Sequence, residues 1–214
     1  MKPIRSATLK LACLAAGSLV ASGAYAQFYA GVGVGQGHAS SVPSVNTTVL
    51  GHSFTGEGDD DTDSAYKLYG GYQFTPNWGL EIGYNDLGNS YSVKGAVGGS
   101  PYTASYKMHN WYVAGTGTLP LGSGFSLLGK VGAVRNTADL GQVCAGGTCV
   151  GASGSDKHTD VLLGVGAQYN FMSNWAARLE YENYGKMTGD DVWGTGGSGA
   201  VKADAWYASV NYSF

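Results

Sequence analysis

Six charged residues stand at alternating positions within apolar segments, and they are the first candidates for a shared cluster. They are Lys67, Glu81, Lys130, Arg178, Glu180 and Glu182, three positive and three negative. Counted from one end of each segment, Glu81 and Arg178 lie three residues in, Lys130 and Glu180 five, and Lys67 and Glu182 seven. Opposite charges therefore recur at similar heights. Because buried charges are tolerated when they are paired, the pattern predicts a network of ion pairs in the interior of the fold. The strand pattern described below makes this interior the lumen of a barrel.

A second candidate is the acidic stretch "GEGDDDTDS", which spans residues 56–64. Asp59, Asp61 and Asp63 alternate there, with Glu57 and Asp60 beside them. Several carboxylates could hold a divalent cation, but the glycine and the distal glutamate of a calcium loop are missing. We expect a solvated acidic loop, and the cation site at 57–63 stays an open alternative.

Histidine and serine give little support for catalysis. In "GHAS", His38 stands two residues before Ser40, and a base beside a serine can activate it as a nucleophile. No carboxylate is placed in the sequence to orient His38, so we predict that the chain is not an enzyme. His52, His109 and His158 show no metal-ligand spacing, and neither a metal nor a cofactor is expected.

The N-terminus predicts export. Residues 1–26 combine Lys2, Arg5 and Lys10 with an apolar run over 11–20 and a final "AYA", which is typical of a signal peptide cut before Gln27. The mature domain, 27–214, would then carry nine basic and 15 acidic residues, a net charge of −6. Nucleic acid is not expected as a partner of such an acidic chain.

Two cysteines would remain after export. Cys144 and Cys149 flank "AGGT", and in an oxidising compartment this spacing favours a local disulfide. A metal site is the weaker alternative, because two thiolates do not complete a tetrahedral shell.

The mature sequence alternates between strand-like segments and spacers of two kinds. The segments cover 27–37, 65–74, 78–88, 106–119, 125–136, 159–171, 175–185 and a last strand that ends at Phe214. The connections run long, short, long, short, long, short, long. Bacterial outer-membrane barrels have this asymmetry, with tight periplasmic turns and long extracellular loops. The fold predicted is all-β, an eight-stranded antiparallel up-and-down transmembrane barrel with both termini in the periplasm.

The side-chain alternation predicts which face meets lipid. Val161, Leu163 and Val165 share one parity, and the other parity carries Leu162 among small and polar residues, so the apolar face points outward. On the fourth segment, Trp111, Val113 and Leu119 are assigned to the lipid side. A periplasmic aromatic girdle is predicted from Phe28, Phe74, Trp78, Phe125, Phe171 and Trp175, and an outer one from Tyr66, Tyr84 and Trp206.

The segments "LYGGYQFTPNWGLEIGYNDLG", "FSLLGKVGAVRN" and "VNYSF" resemble the OmpA-like family of eight-stranded outer-membrane barrels. Within it, the chain is most similar to the stand-alone members grouped with outer-membrane surface antigens. The resemblance implies that the outer-membrane assembly machinery reads an assembly signal formed by Trp206, Val210, Tyr212 and Phe214. OmpA itself continues into a peptidoglycan-binding domain, and we expect none here.

These observations predict an integral protein of the bacterial outer membrane whose extracellular loops carry a structural or surface-interaction role and whose lumen is plugged by the six charged residues. Its expected partners are outer-membrane lipid and lipopolysaccharide, the assembly machinery and a host-surface ligand of the loops, and it is expected to be a monomer. The alternative is a narrow porin-like channel for small solutes. A lipid-modifying outer-membrane enzyme is less favoured, because no complete triad is present.

Overall fold

The architecture is known from a computed structural model that describes residues 27–40, 45–49, 52–60, 62–88, 91–97, 100–145, 148–151, 155–187 and 201–214. Side chains are described in 27–40, 62–88, 107–139, 155–187 and 201–214. The predicted signal peptide, 1–26, lies outside these ranges. No helix within them is long and apolar enough to cross a membrane.

The described residues form twelve strands. They are β1 (Gln27–Ser40), β2 (Val45–Val49), β3 (His52–Asp60), β4 (Thr62–Gln73), β5 (Trp78–Asp86), β6 (Tyr91–Val97), β7 (Ser100–Gly122), β8 (Phe125–Ala145), β9 (Thr148–Gly151), β10 (Ser155–Asn170), β11 (Trp175–Lys186) and β12 (Lys202–Ser213). All the pairings between them are antiparallel.

Eight of these strands close into a ring in the order β1, β4, β5, β7, β8, β10, β11, β12. At the seam, Val32 on β1 pairs with Leu68 on β4 and with Val210 on β12. Closure gives every strand of the ring two hydrogen-bonded neighbours and removes the unpaired edges of an open sheet. The prediction of an eight-stranded antiparallel barrel is confirmed.

Side chains alternate between the outer face and the interior of the ring. Leu162 is fully buried, whereas Val161 and Leu163 beside it are 54% and 55% exposed. Trp111, Val113 and Leu119 are likewise exposed, at 58%, 48% and 58%. The predicted outward apolar face is therefore present, and the polar face lines the interior.

Three short turns lie at one end of the barrel, which we call the turn side, at residues 74–77, 123–124 and 171–174. Thr75 closes the first of these turns through its hydroxyl, which accepts hydrogen bonds from the backbone N–H of Trp78 at 2.9 Å. The second turn has Ser123 at φ 52° between Gly122 and Gly124, which also have positive φ. The two glycines adopt this left-handed conformation without steric cost.

The opposite end, the loop side, differs from the sequence prediction. The segments predicted over 106–119 and 125–136 are parts of β7 and β8, which are 23 and 21 residues long and remain paired from Leu119 with Leu127 up to Tyr102 with Ala145. Strands β2, β3, β6 and β9 pair beyond them and occupy parts of the predicted loops.

The acidic stretch illustrates the reason for this difference. Its described part belongs to β3 and to the start of β4, so the predicted loop is wrong there, and Asp61 lies outside the described residues. Polarity marks a segment that is exposed to water. It does not separate a loop from a strand whose two faces are both solvated, because the backbone groups still seek partners.

Candidate functional site: the barrel interior

The barrel brings the six predicted interior charges into one group, which we call the charge cluster. Lys67 comes from β4, Glu81 from β5, Lys130 from β8, and Arg178, Glu180 and Glu182 from β11. Each of the six residues is at most 7% exposed. The three cations and three carboxylates give the cluster no formal net charge, which is the condition under which burial of ions is tolerated.

Lysine ammonium groups link carboxylates from different walls. Lys67 Nζ lies 2.5 Å from Glu182 Oε1 and 3.2 Å from Glu180 Oε2. Lys130 Nζ lies 2.7 Å from Glu81 Oε1, 2.5 Å from Glu180 Oε1 and 3.0 Å from Glu182 Oε1. Each ammonium group thus holds more than one carboxylate, which satisfies several of its three donors at once.

Tyrosine side chains surround the charge cluster and donate hydrogen bonds to two of its carboxylates. Glu81 accepts hydrogen bonds from the hydroxyls of Tyr29, at 2.9 Å, and Tyr112, at 2.7 Å. The hydroxyl of Tyr184 donates to Glu182 at 2.9 Å. Lys67 Nζ also lies 4.9 Å from the centre of the Tyr69 ring, a cation–π contact. The carboxylates are therefore stabilised by neutral donors as well as by cations.

Each of four interior tyrosine rings lies against a glycine that is its direct partner on the neighbouring strand. The pairs are Tyr29 with Gly71, Tyr69 with Gly31, Tyr112 with Gly83 and Tyr207 with Gly35. A Cβ at any of these glycines would meet the ring of its partner within 3 Å. The glycines therefore make room for the tyrosines, a role that the sequence analysis did not recognise.

Apolar residues cover the charge cluster on the loop side. This apolar cap consists of Leu87, Met108, Leu162, Met187 and Val201, each at most 1% exposed. Backbone hydrogen bonds join Leu87 to Met108 at 2.8 Å and Met187 to Val201 at 2.7 Å. The sequence analysis missed the cap, because Leu87, Met187 and Val201 lie just beyond strand ends, where periodicity gives no orientation.

Three asparagines lie between the charge cluster and the cap. Asn85, Asn110 and Asn136 are direct neighbours across β5, β7 and β8, and each is fully buried. Asn85 Nδ2 donates to Asn110 Oδ1 at 2.9 Å. Within the described residues, Asn85 Oδ1, Asn110 Nδ2 and Asn136 Oδ1 have no hydrogen-bond partner. Sequence reasoning had not singled out this row.

On the turn side, the interior ends in a polar vestibule of about 410 Å³. Amides and hydroxyls line it, among them Gln27, Gln73, Ser126, Gln168, Asn170 and Asn174. Arg178 connects the vestibule to the charge cluster, because its Nε donates to Gln168 Oε1 at 2.7 Å while its Nη1 donates to Glu81 Oε2 at 3.0 Å. The two ends of the interior thus differ, polar on the turn side and apolar on the loop side.

The comparisons with known proteins agree with this geometry. The model of a family described as "Outer membrane protein beta-barrel domain" matches residues 8–214. The chain belongs to this family. It is a bacterial outer-membrane barrel of the OmpA-like type, as the sequence predicted.

Two relatives cover different shares of the chain. Outer membrane protein P5 of Haemophilus influenzae is 31% identical in an alignment of 196 residues, and the match covers 86% of this chain and 52% of that protein. Outer membrane protein A of Yersinia pseudotuberculosis serotype I (strain IP32953) is 30% identical over 112 residues, which are 52% of this chain and 30% of that protein. The chain thus spans about half the length of the first relative and less of the second.

Two solved structures show the same barrel fold. Neisserial surface protein A is 16% identical, with a TM-score of 0.55, and the match covers 87% of this chain and 97% of that protein. OprG of Pseudomonas aeruginosa is 15% identical, with a TM-score of 0.53, and the match covers 89% and 96%.

Aromatic side chains of the outer-membrane barrel gather at both ends, where the sequence placed the girdles. On the turn side, Phe28, Phe74, Trp78, Phe125, Phe171 and Trp175 are all exposed. On the loop side, the rings of Tyr84 and Trp111 lie 4.9 Å apart, and those of Tyr181 and Trp206 lie 5.0 Å apart. The exposed faces of such rings suit the headgroup level of a bilayer.

The residues of the predicted assembly signal lie along the seam of the ring. Trp206, Val210 and Tyr212 belong to β12, and Trp206 and Val210 are exposed on its outer face. The backbone N–H of Phe214 donates to the carbonyl of Phe28 at 2.9 Å, while the Phe214 residue is 73% exposed. The backbone of Phe214 is thus hydrogen-bonded to β1, while its aromatic ring is exposed and can contact lipid.

The remaining candidates are dispersed. His38 Nδ1 lies 3.3 Å from Thr62 Oγ1, and no group of three or more potential metal ligands occurs among the described residues. The Cα atoms of Cys144 and Cys149 are opposite each other in the pairing of β8 with β9. Their side chains are outside the part of the chain whose side chains are described, so the disulfide stays a prediction.

Proposed function

We propose that this chain is a monomeric, non-enzymatic outer-membrane barrel with a plugged interior, and that the polypeptide projecting on its loop side carries a structural or surface-interaction role. The observation that carries the proposal is the charge cluster, whose ion pairs connect opposite walls of the ring and are covered by the apolar cap. An eight-stranded ring has an interior just wide enough for side chains to fill. Paired and covered charges leave no continuous hydrated path.

The loop side supports a surface role through its backbone. Strands β2, β3, β6, β7, β8 and β9 are consecutive neighbours in the sheet, and the pairings of β3 with β6 and of β6 with the first part of β7 lie beyond the closed ring. A projecting sheet offers a shaped surface and two edge strands, which is a common platform for protein recognition. We place this side outside the cell, and the turn side and both termini in the periplasm.

The histidine and serine geometry supports the non-enzymatic part of the proposal. His38 Nδ1 lies 3.3 Å from Thr62 Oγ1 on the neighbouring strand β4, the Cα atom of His38 is opposite that of Asp204 on β12, and Ser40 pairs through its backbone with Lys202. Activation of a serine needs a base within hydrogen-bond reach and a group that orients that base. Asp204 could orient His38, but no hydrogen bond between His38 and the hydroxyl of Ser40 occurs among the described residues.

Planar-bilayer recording of the purified barrel tests the plug. We expect no steady conductance from the wild type at moderate voltage. Arg178→Ala removes the ion pair with Glu81 and so weakens the plug. Intermittent current in this variant, with none in the wild type, would agree with a plugged interior. Steady, ion-selective conductance from the wild type would instead favour the narrow channel.

A loop replacement tests the surface role. In one variant, β2 and β3 (residues 45–60) are replaced by a short glycine-serine connection, and heat-modifiable migration on gels checks that the barrel has folded. We expect binding to lipopolysaccharide and to host-cell monolayers to fall relative to the wild type. Equal binding by both proteins would remove this segment from the proposed interaction surface.

A further inference from the structure

Two of the turn-side turns contain an asparagine that is bonded twice to a neighbouring strand. Asn77 directly precedes β5, and Asn174 directly precedes β11. The carbonyl of Asn77 accepts a hydrogen bond from the backbone N–H of Thr118 at 2.8 Å, and Asn77 Nδ2 donates to the carbonyl of Thr118 at 2.9 Å. Asn174 contacts Ser213 in the same way, at 2.8 Å and 2.7 Å. We call each of these two-bond contacts an amide clasp.

In the amide clasp, a side chain takes the place of a backbone donor. Two residues that are opposite each other in an antiparallel ladder can exchange two backbone hydrogen bonds. Trp78 pairs with Gly117, so the next pair along this ladder is Asn77 with Thr118. The backbone N–H of Asn77 does not serve this pair, because it points into the turn and donates to Thr75 Oγ1 at 3.3 Å. The side-chain amide supplies the missing donor, so the ladder extends one residue beyond β5.

The two clasps occupy equivalent positions of an internal sequence repeat. The segments "YQFTPNW" (72–78) and "YNFMSNW" (169–175) share tyrosine, phenylalanine, asparagine and tryptophan at the same spacing. The strands that receive the clasps repeat as well, in "WYVAGTGT" (111–118) and "WYASVNYS" (206–213), each of which begins with Trp-Tyr and ends with a hydroxyl residue. The same local structure is therefore present twice, and one clasp can serve as a control for the other.

The clasps differ in what lies on the far side of the strand that each one holds. Thr118 belongs to β7, which turns at 123–124 into β8. A covalent connection therefore fixes this end of β7 whether or not the clasp is present. Ser213 belongs to β12, which meets β1 at the seam. There, Gln27 Nε2 donates to the carbonyl of Phe214 at 3.3 Å, although the two residues are 187 positions apart. Because most of the chain separates β1 from β12, this end of β12 depends on its contacts with β11.

We propose that Asn174 is a positioning residue that keeps the seam of the barrel closed at its turn side. Its clasp fixes the end of β12 on β11, and Ser213 is thereby held in register with Tyr29 on β1. The same anchoring presents the backbone N–H of Phe214 to the carbonyl of Phe28, 2.9 Å away. Without the clasp, the end of β12 frays and leaves part of β1 as an unpaired edge. Such an edge is costly in a membrane and open to pairing with other chains.

Amide hydrogen exchange of the purified barrel in detergent micelles, followed residue by residue by NMR, tests this role. The group to follow is the backbone N–H of Phe214, which donates to Phe28 and not to Asn174. Asn174→Ala removes the side-chain bond of the clasp. It should lower the protection factor of this N–H about fivefold, the change expected when one hydrogen bond no longer opposes local opening.

The matched control is Asn77→Ala, which removes the equivalent bond to Thr118 on the opposite side of the ring. It should lower the urea unfolding midpoint as much as Asn174→Ala does, and leave the protection of the Phe214 N–H unchanged. If both variants lower this protection equally, the effect is a loss of global stability and the positioning role is wrong. If neither variant changes it, the end of β12 is held at the seam without the clasp, which also overturns the proposal.

Asn174→Asp tests the hydrogen-bond donor itself. A carboxylate only accepts hydrogen bonds, so at about pH 6 the protection of the Phe214 N–H should be as low as in Asn174→Ala. Below the pKa of an ordinary aspartate, about 3.9, the neutral acid gains an O–H donor for the carbonyl of Ser213. At about pH 3, protection in Asn174→Asp should therefore return towards the wild-type value, while Asn174→Ala remains low. Protection that stays low at both pH values would show that donation to Ser213 does not hold the seam. None of these measurements depends on conductance or on ligand binding, so this inference and the proposed function can fail separately.

Discussion

Arg178 and Glu81 lie on strands that are diametrically opposite in the ring, and their side chains meet in the middle of the barrel. Four steps separate β11 from β5 in either direction around the eight strands. The two residues are 97 positions apart in the chain, yet Nη1 of Arg178 donates to Oε2 of Glu81 at 3.0 Å. This contact spans the full width of the interior, so it connects walls that share no backbone hydrogen bond.

Replacing Arg178 should destabilise the barrel. Arg178→Ala leaves the buried carboxylate of Glu81 without one of its partners and gives the interior a net negative charge. Removing one member of a buried ion pair costs about 3–5 kcal/mol, and the lower end is expected here because Lys130 remains 2.7 Å from Glu81. Urea unfolding of the barrel in lipid vesicles, followed by tryptophan fluorescence, measures this free energy.

The control for this prediction is Lys202→Ala, which removes an exposed cation and should leave the unfolding midpoint nearly unchanged. If Arg178→Ala and Lys202→Ala unfold at the same urea concentration, the interior ion pairs do not stabilise the barrel. Hydrated charges that line a pore would give that result, and Arg178→Ala would then have an ion selectivity different from that of the wild type.

The alternation of apolar and polar residues was sufficient to predict the ring, the outward face and the members of the charge cluster. Val161, Leu162 and Leu163 show why, because in a strand neighbouring side chains must point to opposite faces. The positions counted along separate strands matched Glu81 with Arg178, Lys130 with Glu180, and Lys67 with Glu182. The structure brings all three pairs into contact.

The sequence did not predict the apolar cap or the row of asparagines. Both depend on contacts at strand ends and on the registers of several strands. Met187 and Val201 form part of the cap through a contact between the end of β11 and the start of β12, and no periodicity extends across the 13 residues between them. The row of Asn85, Asn110 and Asn136 needs the registers of three strands at once. A shift of one residue in any register would break the row.

Exported protein should contain a disulfide between Cys144 and Cys149. The two residues are opposite partners in an antiparallel pairing, where Cα atoms are about 4.5–5.5 Å apart, which is within the range that a disulfide bridges. Peptide mapping without reduction measures it. Cys149→Ser should barely change barrel unfolding, since this hairpin extends beyond the ring. Two free thiols in exported protein would contradict the pairing.

A side chain at Gly83 should disturb the charge cluster, whereas one at Gly129 should not. An added Cβ at Gly83 would collide with the ring of Tyr112, whose hydroxyl donates to Glu81 at 2.7 Å. Overpacking of this kind costs about 1–3 kcal/mol. Gly129→Ala meets no atom within 4 Å and should be neutral or slightly stabilising. The urea unfolding midpoints of Gly83→Ala and Gly129→Ala measure the difference. Equal midpoints would show that the Tyr112 ring can move aside without loss of stability.

The asparagine pair above the charge cluster should behave as a unit in a double-mutant cycle. Asn85 donates to Asn110 at 2.9 Å, and both are fully buried. Asn110→Leu leaves the buried Nδ2 of Asn85 without its acceptor, and an unsatisfied buried donor costs about 1–3 kcal/mol. Replacing both residues by leucine removes donor and acceptor together and extends the apolar cap at similar side-chain volume. We therefore expect the double variant to be more stable than either single variant, with a coupling energy of at least about 1 kcal/mol.

Urea unfolding of the wild type, both single variants and the double variant under identical conditions gives the coupling energy. Additive losses would mean that the hydrogen bond between the two amides contributes nothing to the stability of the barrel.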